Sequence, residues 1–231
     1  LGHESAGVIV DVGEGVDRGR IGERVAIEPG VPDRVCPQCR AGRYNLCPNV
    51  RFFGTPPIDG AFTNYVTIPS DFAYTLPDQL SNEEGALIEP LSVGVWACRK
   101  ARLQGGDHVL ITGSGPIGTL AMKVALALGA TSVTMTDVFP QRLEMAQKLG
   151  ATRTINVAKE SLVDAKLEAD VLLECSGNAE ALQDGIRSLR PAGTVVAVGM
   201  NPGEELSIPM SVLQNRELTL TGTFRYANTY Q

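Results

Sequence analysis

Residues 108–118 read His108-Val109-Leu110-Ile111-Thr112-Gly113-Ser114-Gly115-Pro116-Ile117-Gly118. An apolar run leads straight into three glycines spaced G-x-G-x-x-G. Behind them Ile117, Leu120, Ala121, Val124 and Leu128 recur at helical spacing. A strand, a tight glycine turn and a helix in that order make a cradle for a pyrophosphate. The first glycine permits the turn, the second admits the ligand close to the backbone, and the third lets helix and strand pack closely. Free N–H groups at the helix start face the phosphates. Asp137 ends the next β-rich run, where a carboxylate hydrogen-bonds ribose hydroxyls and repels a 2′-phosphate. The motif residues Gly113, Gly115, Pro116 and Gly118, with Asp137, are therefore candidate contacts for NAD. The competing reading is a glycine turn in an unrelated α/β fold, with Asp137 a solvated strand end.

The alternation continues outward from this stretch. Val133–Thr136, Thr152–Val157, Val171–Leu173, Thr194–Val198 and Leu218–Gly222 read as further strands. Between them, Pro140 starts a helix that Gly150 ends. A short, weakly helical stretch follows Val157. Asn178 caps a helix with Leu182, Ile186 and Leu189 on one face. Strands alternating with helices predict an α/β architecture: a doubly wound parallel sheet covered on both faces.

The first hundred residues have a different texture. Short β-rich runs (Val8–Val12, Arg24–Ile27, Phe62–Ile68) are broken by Gly and Pro, which predicts an irregular, barrel-like β domain. A cysteine loop interrupts it: Asp33, Cys36, Cys39 and Cys47. Closely spaced thiolates in a Gly- and Pro-rich loop read as a structural zinc site, with Asp33 in the fourth position; the alternative is three free thiols. The adjacent pair His3 and Glu4 offers two ordinary zinc ligands. The dipeptide alone also fits a buried histidine beside a surface carboxylate.

Composition bounds the function. Across 231 residues, Lys+Arg 20 against Asp+Glu 26 gives a net charge of −6. That balance lacks the footprint of a phosphate-backbone binder and of a polybasic membrane anchor. No uncharged apolar run reaches the roughly 18 residues of a membrane span. No signal peptide is visible, and the cysteine usage fits a reducing compartment, which predicts a cytoplasmic protein. The chain begins at Leu1 inside a motif and ends at Gln231 without a helix stop. A fragment cut at both ends is the expectation.

Several blocks together resemble the zinc-containing medium-chain dehydrogenases, in their polyol branch of sorbitol, xylitol and L-arabinitol dehydrogenases. They are Gly2-His3-Glu4 with Gly7, Gly13 and Val16; Arg24–Gly30; Gly42–Cys47; Gly54–Pro57 with Asp59-Gly60; Glu84–Gly94; and Phe224-Arg225-Tyr226 with Asn228-Thr229. The resemblance implies a partial GroES-like catalytic domain over 1–100 and a Rossmann NAD-binding domain over 101–231, without the family's C-terminal return segment. It implies that His3, Glu4 and Glu89 serve a catalytic zinc, Glu89 reaching the metal or holding its water. The bland alternative for Glu89 is a helix-start carboxylate before Pro90. Arg225 and Tyr226 match residues that hydrogen-bond the polyol, and Phe52 and Thr55 match a pocket wall. Ile117, Asp137 and Arg142 match NAD contacts. Val198, Gly199, Met200, Thr223 and Phe224 match segments lining the nicotinamide half. A homo-oligomer, dimer or tetramer, is implied on the same ground.

Besides the missing C-terminal return, the chain departs from the family pattern in four places. An upstream cysteine ligand and a serine or threonine relay are not in this sequence, and Asp33 stands where the family has cysteine. Ala158–Ala169 is also short. The expected activity is hydride transfer from a polyol hydroxyl to NAD. The alternatives are a related enzyme for secondary alcohols or threonine, and a non-catalytic NAD binder.

Overall fold

A computed structural model describes residues 1–201, 203 and 205–230. The chain divides into two compact units, Leu1–Ser92 with Arg225–Gln231, and Val93–Phe224.

The first unit is built on short strands. Strands β1 (Ala6–Val8), β2 (Arg24–Ile27) and β5 (Ala73–Thr75) form an antiparallel sheet in the order β1-β2-β5. Strands β3 (Gly30–Val31) and β4 (Arg51–Phe52) form a two-stranded ribbon around the cysteine loop, which carries the single-turn helix α1 (Pro37–Arg40). Two of the β-rich runs differ from expectation. Val8–Val12 leaves the ladder after Val8, because its partner β2 begins at Arg24; Ile9 still donates to Glu23 O at 3.0 Å. Phe62–Ile68 forms no strand, and β2 takes Ala73–Thr75 as its second neighbour instead. Phe62 and Tyr65 are exposed.

Helix α2 (Asn82–Ala86) starts on a capping box. The Ser81 hydroxyl accepts from Glu84 N–H at 3.1 Å, and the Glu84 carboxylate accepts from Ser81 N–H at 2.7 Å. Helix α3 (Ile88–Ala101) follows, with Glu89 in its first turn. Pro90 is tolerated there because first-turn N–H groups need no helical partner. The expected division near residue 100 falls at the end of α3, whereas the two units part between Ser92 and Val93. Residues 225–230 group with the first unit because Tyr226, Asn228 and Tyr230 hydrogen-bond to it.

The second unit is the α/β layer read from the sequence. Strands β6 (His108–Thr112), β7 (Ser132–Asp137), β8 (Arg153–Asn156), β9 (Ala169–Glu174), β10 (Leu189–Ala197) and β11 (Thr219–Gly222) form one parallel sheet. Their order is β11-β10-β9-β6-β7-β8. Helices α4 (Pro116–Ala127), α5 (Pro140–Lys148), α6 (Ala179–Arg187) and α7 (Met210–Asn215) connect them. The reversal of strand order at β6 is the switch point where such sheets bind ligands. Central strands are apolar throughout, as burial on both faces requires: Leu110, Ile111, Leu172 and Leu173 are fully buried.

Local details follow the sequence, with two shifts. Asn178 caps α6 by accepting from Ala181 N–H at 3.0 Å. The helix ends at Arg187, so Leu189 reaches the same core from β10. Helix α4 buries Gly118, Ala121, Met122, Val124 and Ala125 and leaves Leu128 exposed. The stripe is thus rotated toward its small residues. The weak helical stretch after β8 is a single 3₁₀ turn, Val163–Ala165. Among the described residues no helix is long and apolar enough to cross a membrane.

Candidate functional site

Three side chains of the first unit converge. His3 and Glu4 lie just ahead of β1, and Glu89 comes from the first turn of α3. Each offers one ligand atom, and these atoms lie within 4.8 Å of one another. His3 Nε2 stands 4.0 Å from Glu89 Oε2. That gap is too long for a hydrogen bond and about half an ångström wider than the ~3.4 Å between two ligands of a tetrahedral zinc, so the two groups would draw together by that much to share one ion. One imidazole and two carboxylates are a donor set that zinc accepts, with a position left over for a small ligand. The residues present fit the metal.

Glu89 is buried. Burial pushes its carboxyl pKa up, while the Tyr226 hydrogen bond and the His3 imidazole pull it down and Glu4 adds to the rise. Tyr226 donates its hydroxyl to Glu89 Oε1 at 2.7 Å and is itself buried. Its proton is committed to the acid, so only its oxygen lone pairs could serve a polyol. The Phe52 ring packs edge-on to His3 at 5.4 Å and carries the Arg225 guanidinium over its face at 4.4 Å. Thr55 lies exposed on the turn beyond Phe52 and enters none of these contacts. The local fold explains the grouping. Ala61 and Phe62 N–H groups donate to the carbonyls of Gly2 and Leu1, tying the turn after Phe52 to the segment that bears His3.

The cysteine loop makes a second cluster. Ligand atoms of Asp33, Cys36, Cys39 and Cys47 also lie within 4.8 Å of one another. Cys36 and Cys39 sulfurs are 3.4 Å apart, and Asp33 Oδ1 is 3.3 Å from Cys39 Sγ. Three sulfurs and one oxygen fit a closed structural zinc site. Asp33 is aimed by its surroundings. Cys36 and Val35 N–H groups bind Oδ1, and the Asn49 amide donates to Oδ2 at 2.7 Å. Those donors hold its carboxyl well below the usual range, the Cys36 N–H most of all. Asp33→Ala is expected to weaken zinc retention at this loop at least about tenfold. Zinc per chain, measured across a chelator series, checks this; retention equal to the parent removes Asp33 from the ligand set.

In the second unit, a cavity of about 660 Å³ opens beside the glycine turn. Gly113, Gly115, Asp137 and Arg142 line it, together with Phe139 and Asn178. Gly113 has φ +88, and a Cβ on it would stand 2.9 Å from Ser176 N. Asp137 is buried at the end of β7. Its Oδ2 accepts from Ser114 N–H at 2.9 Å, and its Oδ1 accepts from Val138 and Phe139 N–H. Asp137 therefore fastens the glycine turn to β7 as well as facing the cavity. Arg142 stacks on Phe139 at 4.9 Å, with Nη1 3.6 Å from Asp137 Oδ2. A glycine-lined cavity with a carboxylate at its floor and a helix N-terminus at its rim fits a dinucleotide. Pro116, Ile117 and Gly118 lie in the helix behind the turn rather than in the cavity wall. Val198, Gly199, Met200, Thr223 and Phe224 follow the ends of β10 and β11 and do not line this cavity, although Val198 and Gly199 hydrogen-bond to Glu174 just ahead of its Cys175 wall.

Sequence reading passed over Glu174. This buried acid ends β9 and accepts from Thr112 Oγ1, Ser176 N–H and Gly177 N–H. It holds the loop that supplies Asn178 to the cavity. An acid closing an apolar strand just before Cys-Ser-Gly was the available signal.

Comparison with known proteins bears on both units. A family model described as "Zinc-binding dehydrogenase" matches residues 116–231, and one described as "Alcohol dehydrogenase GroES-like domain" matches 1–78. The chain belongs to the zinc-binding dehydrogenases. Its sheet order and glycine turn are thus a Rossmann-type unit, and its antiparallel unit is GroES-like. This zinc-binding dehydrogenase is 44% identical to sorbitol dehydrogenase of Bacillus subtilis over 100% of its own length and 67% of that protein. It is 45% identical to D-xylulose reductase of Saccharomyces cerevisiae over 98% of its length and 66% of that protein. It spans about two thirds of the curated relatives it matches. Among solved structures, an Escherichia coli oxidoreductase of unknown specificity superposes with TM-score 0.94 at 40% identity, covering 100% of this chain and 68% of the other. A zinc-binding dehydrogenase from Sinorhizobium meliloti bound to NADP gives TM-score 0.95 at 33% identity, covering 100% and 70%.

Proposed function

We propose that the complete protein oxidises a secondary hydroxyl of a polyol (xylitol, sorbitol or L-arabinitol) to the ketose, with hydride passing to NAD. The observation that carries this reading is the His3–Glu4–Glu89 cluster with Tyr226 fastened to Glu89. The sorbitol dehydrogenase and D-xylulose reductase relatives support the substrate class.

His3, Glu4 and Glu89 are the residues that would hold the catalytic zinc. The chemistry supplied by bound zinc and nicotinamide is Lewis acidity toward a hydroxyl oxygen and acceptance of hydride. The chain's own residues do the rest. In this reading Glu89 takes up the hydroxyl proton, and Tyr226 fixes its orientation. Phe52 gives the site an apolar wall, and Arg225, laid over that wall, presents donors to further polyol hydroxyls.

Asp137 supports NAD over NADP. It is a buried carboxylate at the position that meets the adenosine ribose in this fold. Asp137→Ala is expected to weaken NADH binding about tenfold and to raise the NADPH-to-NADH affinity ratio. Fluorescence titration with both nucleotides checks this, and an unchanged ratio removes Asp137 from cofactor choice. The thiols of the cysteine cluster support a reducing, cytoplasmic setting. The exposed edge strand β11 supports pairing with a second copy of the chain.

The deciding experiment uses the complete protein. NADH formation is followed with xylitol, sorbitol, L-arabinitol, ethanol and threonine, each with and without a zinc chelator. Chelator-sensitive oxidation of a polyol establishes the reading. Turnover of ethanol or threonine alone moves it to the other substrates, and NADH binding without zinc or turnover makes the protein a non-catalytic binder.

A further inference from the structure

One buried acid in the first unit has no part in the chemistry above. Glu28 follows β2 and is 1% exposed. Its described partners are phenols rather than a cation. Tyr44 donates to Oε1 at 2.7 Å, and Tyr74 donates to Oε2 at 3.1 Å. Burial pushes the Glu28 carboxyl pKa up, and the two phenol bonds offset part of that rise. Burying a carboxylate this way costs free energy that neutral donors return only in part. An apolar side chain would fill the same space at lower cost. What the acid adds is direction: two acceptor oxygens that fix two rings at once.

Both rings hold the segment that carries Tyr226. The Tyr44 hydroxyl, turned by its bond to Glu28, accepts from Asn228 N–H at 2.8 Å. Asn228 has φ 55, a conformation that benefits from such an anchor. The Tyr74 ring packs on Tyr230 at 5.1 Å, and Tyr230 packs on Tyr226 at 5.9 Å. Tyr230 also donates to Ile27 O, beside Glu28, at 3.1 Å. The chain of contacts ends at the Tyr226 hydroxyl on Glu89.

We propose that Glu28 is a positioning residue for the reaction: through Tyr44 and Tyr74 it fixes residues 226–230, and so holds the Tyr226 hydroxyl on Glu89. The proposal rests on the reading of Glu89 as a member of the active cluster. Glu28 touches neither substrate nor zinc, and its effect passes entirely through Tyr226.

A double-mutant cycle in the complete enzyme tests this dependence on Tyr226. Tyr44→Phe keeps the ring and removes both of its hydroxyl bonds. It is expected to lower kcat for the best polyol roughly tenfold, with zinc content and NADH affinity unchanged. Tyr226→Phe is expected to lower kcat at least as much. The double variant should match Tyr226→Phe alone, because the two act along one path. Crystals of Tyr44→Phe should show the Tyr226 oxygen displaced from Glu89. If the two losses multiply in the double variant, or if Tyr226 stays in place, the proposal is overturned while the role of Glu89 stands. If Glu89→Gln is itself silent, the underlying reading falls and the proposal with it. Should Tyr44→Phe not fold, Glu28→Gln, which keeps the side-chain volume, enters the same cycle with the same expected outcomes.

Discussion

Replacing Glu89 by Gln is expected to lower polyol oxidation about a hundredfold while NADH affinity stays unchanged. A hundredfold corresponds to roughly 2.7 kcal/mol of lost transition-state stabilisation. The substitution keeps the shape of a side chain packed into a buried site, and an amide oxygen can still accept from Tyr226. What it removes is the negative charge 4.0 Å from His3 Nε2 and the capacity to take a proton. The loss should therefore fall on kcat. Stopped-flow hydride transfer and an NADH titration separate the two, and turnover equal to the parent excludes Glu89 from the reaction. Glu89 lies in the first unit and the nucleotide cavity in the second, so unchanged NADH affinity is a real discriminator against general misfolding.

The second large effect is expected from the glycine turn, where two glycines should fail for different reasons. A Cβ on Gly118 would stand 1.9 Å from Gly113 O, inside any permissible carbon–oxygen contact. That neighbour is backbone and cannot swing aside. Gly118→Ala must push helix α4 off strand β6, and a loss of about 3 kcal/mol of stability is expected, with NADH binding lost alongside. Gly115 is the contrast. It has φ −74, and a Cβ there meets nothing within 4 Å. Gly115→Ala should leave stability unchanged and still weaken NADH binding at least about tenfold, because the added methyl occupies space reserved for the pyrophosphate. Denaturant unfolding beside a nucleotide titration distinguishes these outcomes. Normal NADH affinity in Gly115→Ala would mean that the dinucleotide does not cross this turn.

The contrast also explains which parts of the molecule the sequence discloses. The strand–glycine–helix unit is local: residues 108–118 carry the turn, the helix start and the buried strand within one short stretch. The parallel strands are legible for the same reason, since burial on both faces makes them continuous apolar runs. The first unit is harder. Strands β3 and β4 are two residues long and exist only because each finds the other across the cysteine loop. Phe62–Ile68 has the composition of a strand, but a strand is defined by its partner, and β2 pairs elsewhere. Leu189 keeps helical spacing with Ile186, yet it reaches the core from β10. His3 and Glu4 were visible as a motif. The tie between Glu28 and residues 226–230 was not, because it joins segments far apart in sequence through hydrogen bonds that leave no periodic trace.

The return of residues 225–230 to the first unit sets an order of events during synthesis. The second unit is one uninterrupted stretch, Val93–Phe224, whose sheet and helices can close as soon as that stretch has left the ribosome. The first unit must wait. Its opening ninety-odd residues emerge early, but Tyr226 and Tyr230 arrive only after the whole nucleotide unit has been made. Lengthening a closed loop adds little entropy cost once both ends exist. The constraint is therefore one of sequence in time rather than of free energy. A nascent chain passes through an interval in which every residue lining the cavity beside the glycine turn is present and Glu89 still lacks its tyrosine.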